Sequence, residues 1–139
     1  MKLLFRFGAA LGLLLIPVTA IAAGQEPGEE HVTIQFRHEL PDSPGKSLTA
    51  VVVDYPPGTK SRPHHHAPSA FIYAYVLSGA VRSQVGDEPA KVYGTGESWV
   101  EAPGAYHRVS ENASSTEPAK LLAVFVANTD EALTRPDPR

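Results

Sequence analysis

Apolar and polar residues alternate along most of this chain. Val32, Ile34 and Phe36 alternate with Thr33, Gln35 and Arg37, the two-residue period of a strand with one buried face. Ser47 to Tyr55 is rich in β-branched residues and predicts a second strand. Ala70 to Leu77 ("AFIYAYVL") is continuously apolar, which predicts a strand buried on both faces. Val81, Ser83 and Val85 resume the alternation, and Lys91–Tyr93 and Ser98–Glu101 are shorter strands. A further strand surrounds His107-Arg108-Val109, and Leu121 to Ala127 is the last clear one. Between them lie turns such as "LPDSPGK", "PPGT", "VGDEPAK", "GTGE" and "APGAY". No stretch sustains a helical period. Short strands at roughly 8–12-residue spacing predict an all-β sandwich or barrel.

The two ends read differently. Lys2 and Arg6 precede an apolar run, Gly8 to Val18, and then Ala20-Ile21-Ala22. This is the order of a secretory signal peptide. The run is short for a ~20-residue membrane span. The expected division is a signal peptide over 1–22, a linker and strand arm over 23–45, a barrel over 46–128 and a mobile tail over 129–139. A secreted or periplasmic protein follows, with no stable membrane insertion after cleavage.

Composition narrows the chemistry. A length of 139 residues is one domain. The net charge of −3 offers no basic excess for nucleic acid. With no cysteine there is no disulfide, thiolate ligand or Cys nucleophile. Active chemistry must therefore use His, carboxylates or hydroxyls.

"PHHHAPS" carries the main candidate. In a strand His64 and His66 share a face, and His65 points the other way. Two imidazoles so placed can reach one ion at ~2.0–2.1 Å. A third ligand must come from elsewhere, and His107, opening a strand after Pro103-Gly104, is the candidate. A solvated His-rich loop is the bland alternative.

The residues around these histidines resemble the cupin family. Gly58, "TKSRP", His64, His66 and Gly79 match its first motif. Gly96, Gly104, His107 and Asn112 correspond to the second. The resemblance runs from about Lys46 to Ala127. It implies a double-stranded β-helix, or jelly-roll, barrel holding a metal through His64, His66 and His107. The family's glutamate position falls on Ile72, so the first shell reduces to three neutral imidazoles. Such a set leaves the ion's +2 charge uncompensated and should attract an anionic or enolate ligand. A divalent ion is implied, Fe(II) first, with Zn, Ni, Cu or Mn compatible.

The remaining expectations follow from that barrel. Phe71, Tyr73, Tyr75, Trp99 and Tyr106 are expected to line or close it, some facing a substrate. Arg82 or Gln84 is a candidate for binding a carboxylate or phenolate inside, against a surface placement. Glu97 and Glu101 flank Trp99 as possible proton acceptors, with solvated placement expected. His31 and His38 read as surface residues. Asn112-Ala113-Ser114 is a glycosylation pattern.

The chain is also similar to small cupin proteins of bacteria and of fungal polyketide clusters that make salicylaldehyde-type aromatics. That resemblance implies a metal-dependent oxidoreductase acting on a small aromatic or polyketide-derived intermediate. A non-redox isomerase or lyase and a ligand-binding protein without turnover are the alternatives. The expected partner is a small-molecule substrate, with a homodimer possible.

Overall fold

The computed structural model describes residues 29–137. The expected signal segment, 1–22, lies outside them. Ten strands follow in order: β1 (His31–Glu39), β2 (Lys46–Tyr55), β3 (His64–His66), β4 (Phe71–Ser78), β5 (Ala80–Val85), β6 (Lys91–Gly94), β7 (Ser98–Glu101), β8 (Tyr106–Asn112), β9 (Ala119–Asn128) and β10 (Thr134–Pro136). Among the described residues there is no helix.

They form two five-stranded antiparallel sheets. One has the order β1-β2-β9-β4-β7, the other β10-β3-β8-β5-β6. Each sheet turns one face inward, so the alternation along a strand decides which side chain meets the core. On β9, Ala119, Leu121, Ala123, Phe125 and Ala127 are buried. On β4, Ile72, Ala74 and Val76 are buried. Ala74 and Ala123 pair directly, as do Ile72 and Phe125, which stitches the inner face across the sheet.

Three expectations change here. β4 is buried on one face, not both: Phe71 is 48% exposed and Tyr73 41%. Its outer face is apolar, so the run looked continuous in the sequence. β1 is an edge strand whose nine residues are all exposed, including Val32, Ile34 and Phe36. The expected mobile tail contributes β10, which pairs with β3 through Thr134–His66, Arg135–His65 and Pro136–His64. Asp137 completes this strap: its backbone N–H donates to the Pro63 carbonyl, and the Arg62 guanidinium donates to its own carbonyl.

Two glycines set the geometry around the core. Gly79 has φ +70°, and a Cβ there would meet the Pro118 carbonyl oxygen at 2.5 Å. Gly104 has φ +71° and donates its N–H to the Ala67 carbonyl at 3.0 Å. That bond ties the β7–β8 turn to the end of β3.

Candidate metal centre

The three predicted histidines converge because β3 and β8 are neighbours. His64 and His107 are directly opposed across the ladder. His66 follows His64 on the same face, and its N–H donates to the Ala105 carbonyl in the β7–β8 turn. One ligand nitrogen from each of the three lies within 4.8 Å of the others. His65 points away, stacked on Tyr106 with ring centroids 4.3 Å apart.

Hydrogen bonds orient these rings. His64 Nδ1 donates to the Arg62 carbonyl at 2.7 Å, which leaves Nε2 as the lone-pair nitrogen. His107 Nε2 lies 2.9 Å from Ser83 Oγ, so Nδ1 turns towards the site. Burial pushes His107 down to about 4, helped by the neighbouring His64 and His66 and opposed by Glu101. Burial likewise lowers His64, against the Arg62 carbonyl. At neutral pH both rings are therefore unprotonated, as a metal requires.

A fourth group, expected to be solvated, joins the site. Glu101 is 3% exposed, not solvated. Its Oε2 lies 2.8 Å from His66 Nε2, and its Oε1 lies 3.4 Å from His107 Nδ1. Trp99 Nε1–H donates to Oε1 at 2.9 Å. Burial would raise this carboxyl, but the two imidazoles and the indole N–H outweigh it and hold it below the usual range. Glu101 pairs with Ile72 across β7 and β4, so it occupies the inner face beside the position where a carboxylate was expected and not found. The signal available in the sequence was the alternation of "SWVE", which gives Trp99 and Glu101 one face next to the turn leading to His107.

Both ring nitrogens of His66, together with Glu101 Oε2, are buried without a hydrogen-bond partner. Buried polar atoms are normally satisfied, and leaving them bare costs about 1–3 kcal/mol each. A bound divalent cation would satisfy the two that face each other. The residues thus fit an ion.

These groups open onto a cavity of about 340 Å³. Val51, Val53, Ile72, Ala74, Leu121, Ala123 and Phe125 form its apolar wall, with Tyr55 and Ser110 beside them. The Tyr55 hydroxyl is held by Ser110 at 2.7 Å and Ser61 at 2.9 Å, and burial raises its pKa. Pro136 and Thr134 of the strap also line the cavity.

None of Phe71, Tyr73, Tyr75, Arg82, Trp99 and Tyr106 lines it. Phe71 and Tyr73 face outward, and Tyr75 shares their face. Arg82 lies on the surface and pairs with Glu111 at 2.6 Å. Trp99 packs on Tyr93 and reaches the site only through Glu101. The pleat explains this, because odd-numbered residues of β4 point outward. Tyr106 likewise faces out, its hydroxyl donating to Asp137. Glu97 caps a turn, accepting from the Gly94 N–H. Asn112 is 7% exposed, and its side-chain amide donates to the Tyr55, Pro56 and Glu117 carbonyls. It knits the loop together and is not presented for glycosylation.

A family model described as a cupin domain matches residues 51–125, more than half of the chain. A double-stranded β-helix protein from Klebsiella pneumoniae is similar in structure, with a TM-score of 0.61 at 20% identity over 80% of this chain and 89% of that one. An oxalate oxidase bound to the substrate analogue glycolate gives 0.56 at 24% identity, over 73% and 53%. A DMSP lyase of Ruegeria pomeroyi gives 0.54 at 24%, over 66% and 45%. The chain thus spans about half the length of these two enzymes. No curated protein matches it.

Proposed function

The chain belongs to the cupin family, and from that premise we propose that it is a metal-dependent oxidoreductase acting on a small, largely apolar substrate with one anionic oxygen. An aromatic or polyketide-derived enol or phenol is the class in view. The observation that carries this reading is the histidine cluster opening into an apolar cavity of about 340 Å³. Pockets of this size hold small organic molecules and use few polar groups to orient them. A bound divalent ion, Fe(II) in this reading, would supply Lewis acidity and a one-electron couple.

The chain's own residues divide the remaining work. His64, His66 and His107 would hold the ion. The wall from Val51 to Phe125 accepts the apolar body of the substrate. Beside it charge is screened less than in bulk water, which favours an anionic oxygen near the ion. Tyr55 stays protonated, its hydroxyl shared with Ser61 and Ser110. That row offers hydroxyls on one side of the chamber, near Glu29, Glu30, Lys60 and Arg62, which also line it. The fold is shared with an oxalate oxidase and a DMSP lyase, so the fold alone does not choose a reaction.

The test is an oxygen electrode with Fe(II)-loaded protein and a panel of small phenols and β-dicarbonyl enols. Oxygen uptake that needs both iron and substrate is expected, with no uptake in the Zn(II)-loaded protein. Equal turnover with Zn(II) and without oxygen would overturn the redox reading in favour of an isomerase or lyase.

A further inference from the structure

We propose that Tyr55, Ser61 and Ser110 form a second recognition point of the chamber, which donates one hydrogen bond to a neutral carbonyl oxygen at the end of the substrate away from the histidines. This rests on the reading of the chamber as a site for a small enol or phenol, and it narrows that class to molecules with a second, uncharged oxygen. All three residues line the cavity. Tyr55 is 2% exposed and Ser110 5%, whereas Ser61 is half-buried.

The hydroxyl hydrogens of this row do not balance. The Tyr55 hydroxyl lies 2.7 Å from Ser110 Oγ and 2.9 Å from Ser61 Oγ. Three hydroxyls carry three hydrogens, and the two contacts use two of them. Among the described residues neither serine hydroxyl has a further hydrogen-bond partner. One hydrogen is left over. Either oxygen of each contact can donate, so the row runs in two directions. With Ser110 donating to Tyr55 and Tyr55 to Ser61, the spare hydrogen sits on half-buried Ser61, beside Lys60 and Arg62, where solvent can take it. In the reverse direction it sits on buried Ser110. A buried donor without an acceptor is costly, so the empty chamber favours the first direction. A carbonyl oxygen at Ser110 removes that cost and favours the second. The switch turns three hydroxyl rotors and moves no heavy atom.

The row stands apart from the histidines. Tyr55 packs in the cluster of Val76, Val81 and Leu121. His66 instead meets the ring of Phe125, in the cluster of Val51 and Ile72. His107 and Ser110 are both buried on β8, three residues apart, which is at most about 10 Å along a strand. One ring with oxygens at its two ends spans a gap of that order. The second oxygen is uncharged for a physical reason. Lys60 and Arg62 line the cavity but are exposed, and Glu29 and Glu30 line it too. At Tyr55 and Ser110 the only donor is a neutral hydroxyl, and burying a carboxylate there without a cation is unfavourable. A ketone or aldehyde oxygen needs one donor and no counter-charge.

The test is calorimetric titration of the purified chain, supplied with redox-silent Zn(II), with 4-hydroxyacetophenone and 4-isopropylphenol. The two differ by a carbonyl oxygen in place of a methyl group. Wild type is expected to prefer the ketone. In Tyr55→Phe/Ser110→Ala that preference is expected to fall about tenfold, with affinity for 4-isopropylphenol kept within threefold. 4-Hydroxybenzoate is expected to bind wild type less tightly than the ketone. A preference that stays within threefold of wild type in the double variant would overturn the proposal while leaving the phenol site intact, and so would 4-hydroxybenzoate binding more tightly than the ketone. Neither phenol binding wild type at millimolar concentration would refute the phenol site and the proposal with it. Should the double variant not fold, the carbonyl stretching band of 4-hydroxyacetophenone bound to wild type decides. A band below that of the same species in an apolar solvent supports the donor, and an unshifted band overturns it.

Discussion

The two sheets present opposite chemistries to the space between them. The sheet β10-β3-β8-β5-β6 turns His64, His66, His107, Ser83 and Ser110 inward. Its partner offers Val51, Ile72, Ala74, Leu121, Ala123 and Phe125. Imidazoles thus stand on one side and a mostly apolar wall on the other, interrupted by Tyr55 and Glu101. Splitting the roles has a physical use. Rigid ladder positions aim the histidines, while the opposite sheet supplies most of the apolar wall.

The most severe break removes a donor. His107→Ala is expected to lower metal affinity at least 1,000-fold, about 4 kcal/mol, with the fold retained. Ion content of the purified protein by elemental analysis, beside circular dichroism, checks it. Stoichiometric metal in this variant would show that the donor sheet does not hold the ion.

A second contrast tests the wall, using neighbours on one strand. Ile72 is 1% exposed and Tyr73 is 41% exposed. Ile72→Ala removes packed core volume and is expected to cost about 2–5 kcal/mol. Tyr73→Ala, on the outer face, is expected to cost less than about 1 kcal/mol. Urea unfolding of both variants measures this. Equal losses would mean that the outer face is covered in solution.

The same contrast explains what the sequence made legible. Eight of the ten strands followed from alternation and turns, and the grouping of His64, His66 and His107 followed from the resemblance to the cupin motifs. The cavity wall did not, because "AFIYAYVL" carries apolar residues on both faces and alternation gives no sign of which is inside. The large aromatics drew attention, yet Ile72 and Ala74 face the chamber and Phe71 and Tyr73 face out. Glu101 was hidden for another reason. A carboxylate in a four-residue strand reads as solvated unless the opposed strand is known, and its register with Ile72 is a long-range fact. β10 was missed because "TRP" has no strand signal of its own; pairing with β3 makes it one.

Acid tests the donor side as well, since the buried imidazoles His64 and His107 stand there. His107 titrates at about 4 in the folded protein, against about 6.5 when unfolded. Between those values the unfolded chain binds more protons. Stability is therefore full above about pH 6.5 and falls as pH drops towards 4. The gap corresponds to about 3 kcal/mol. The lowered carboxyl of Glu101 adds a further loss at still lower pH, below its ordinary value. Thermal unfolding of the ion-free protein should show Tm falling from pH 7 to 4. A flat profile would mean that His107 is solvated, and His107→Ala should remove most of the slope.

The smallest effect belongs to Ser83, which touches no cavity. It is 4% exposed, pairs with Ser110 across β5 and β8, and sits 2.9 Å from His107 Nε2. With Nδ1 on an ion, Nε2 carries the ring proton and donates it to Ser83. Ser83→Ala lets that proton move to Nδ1, where it competes with the ion. Metal affinity is expected to fall about tenfold, the low end for an outer partner of a ligating histidine. Stability should fall by about 1 kcal/mol. Ser83→Thr keeps the hydroxyl and should restore affinity even where crowding lowers stability. That separation of ion binding from stability distinguishes a residue that orients a donor from one that only fills the core between the sheets.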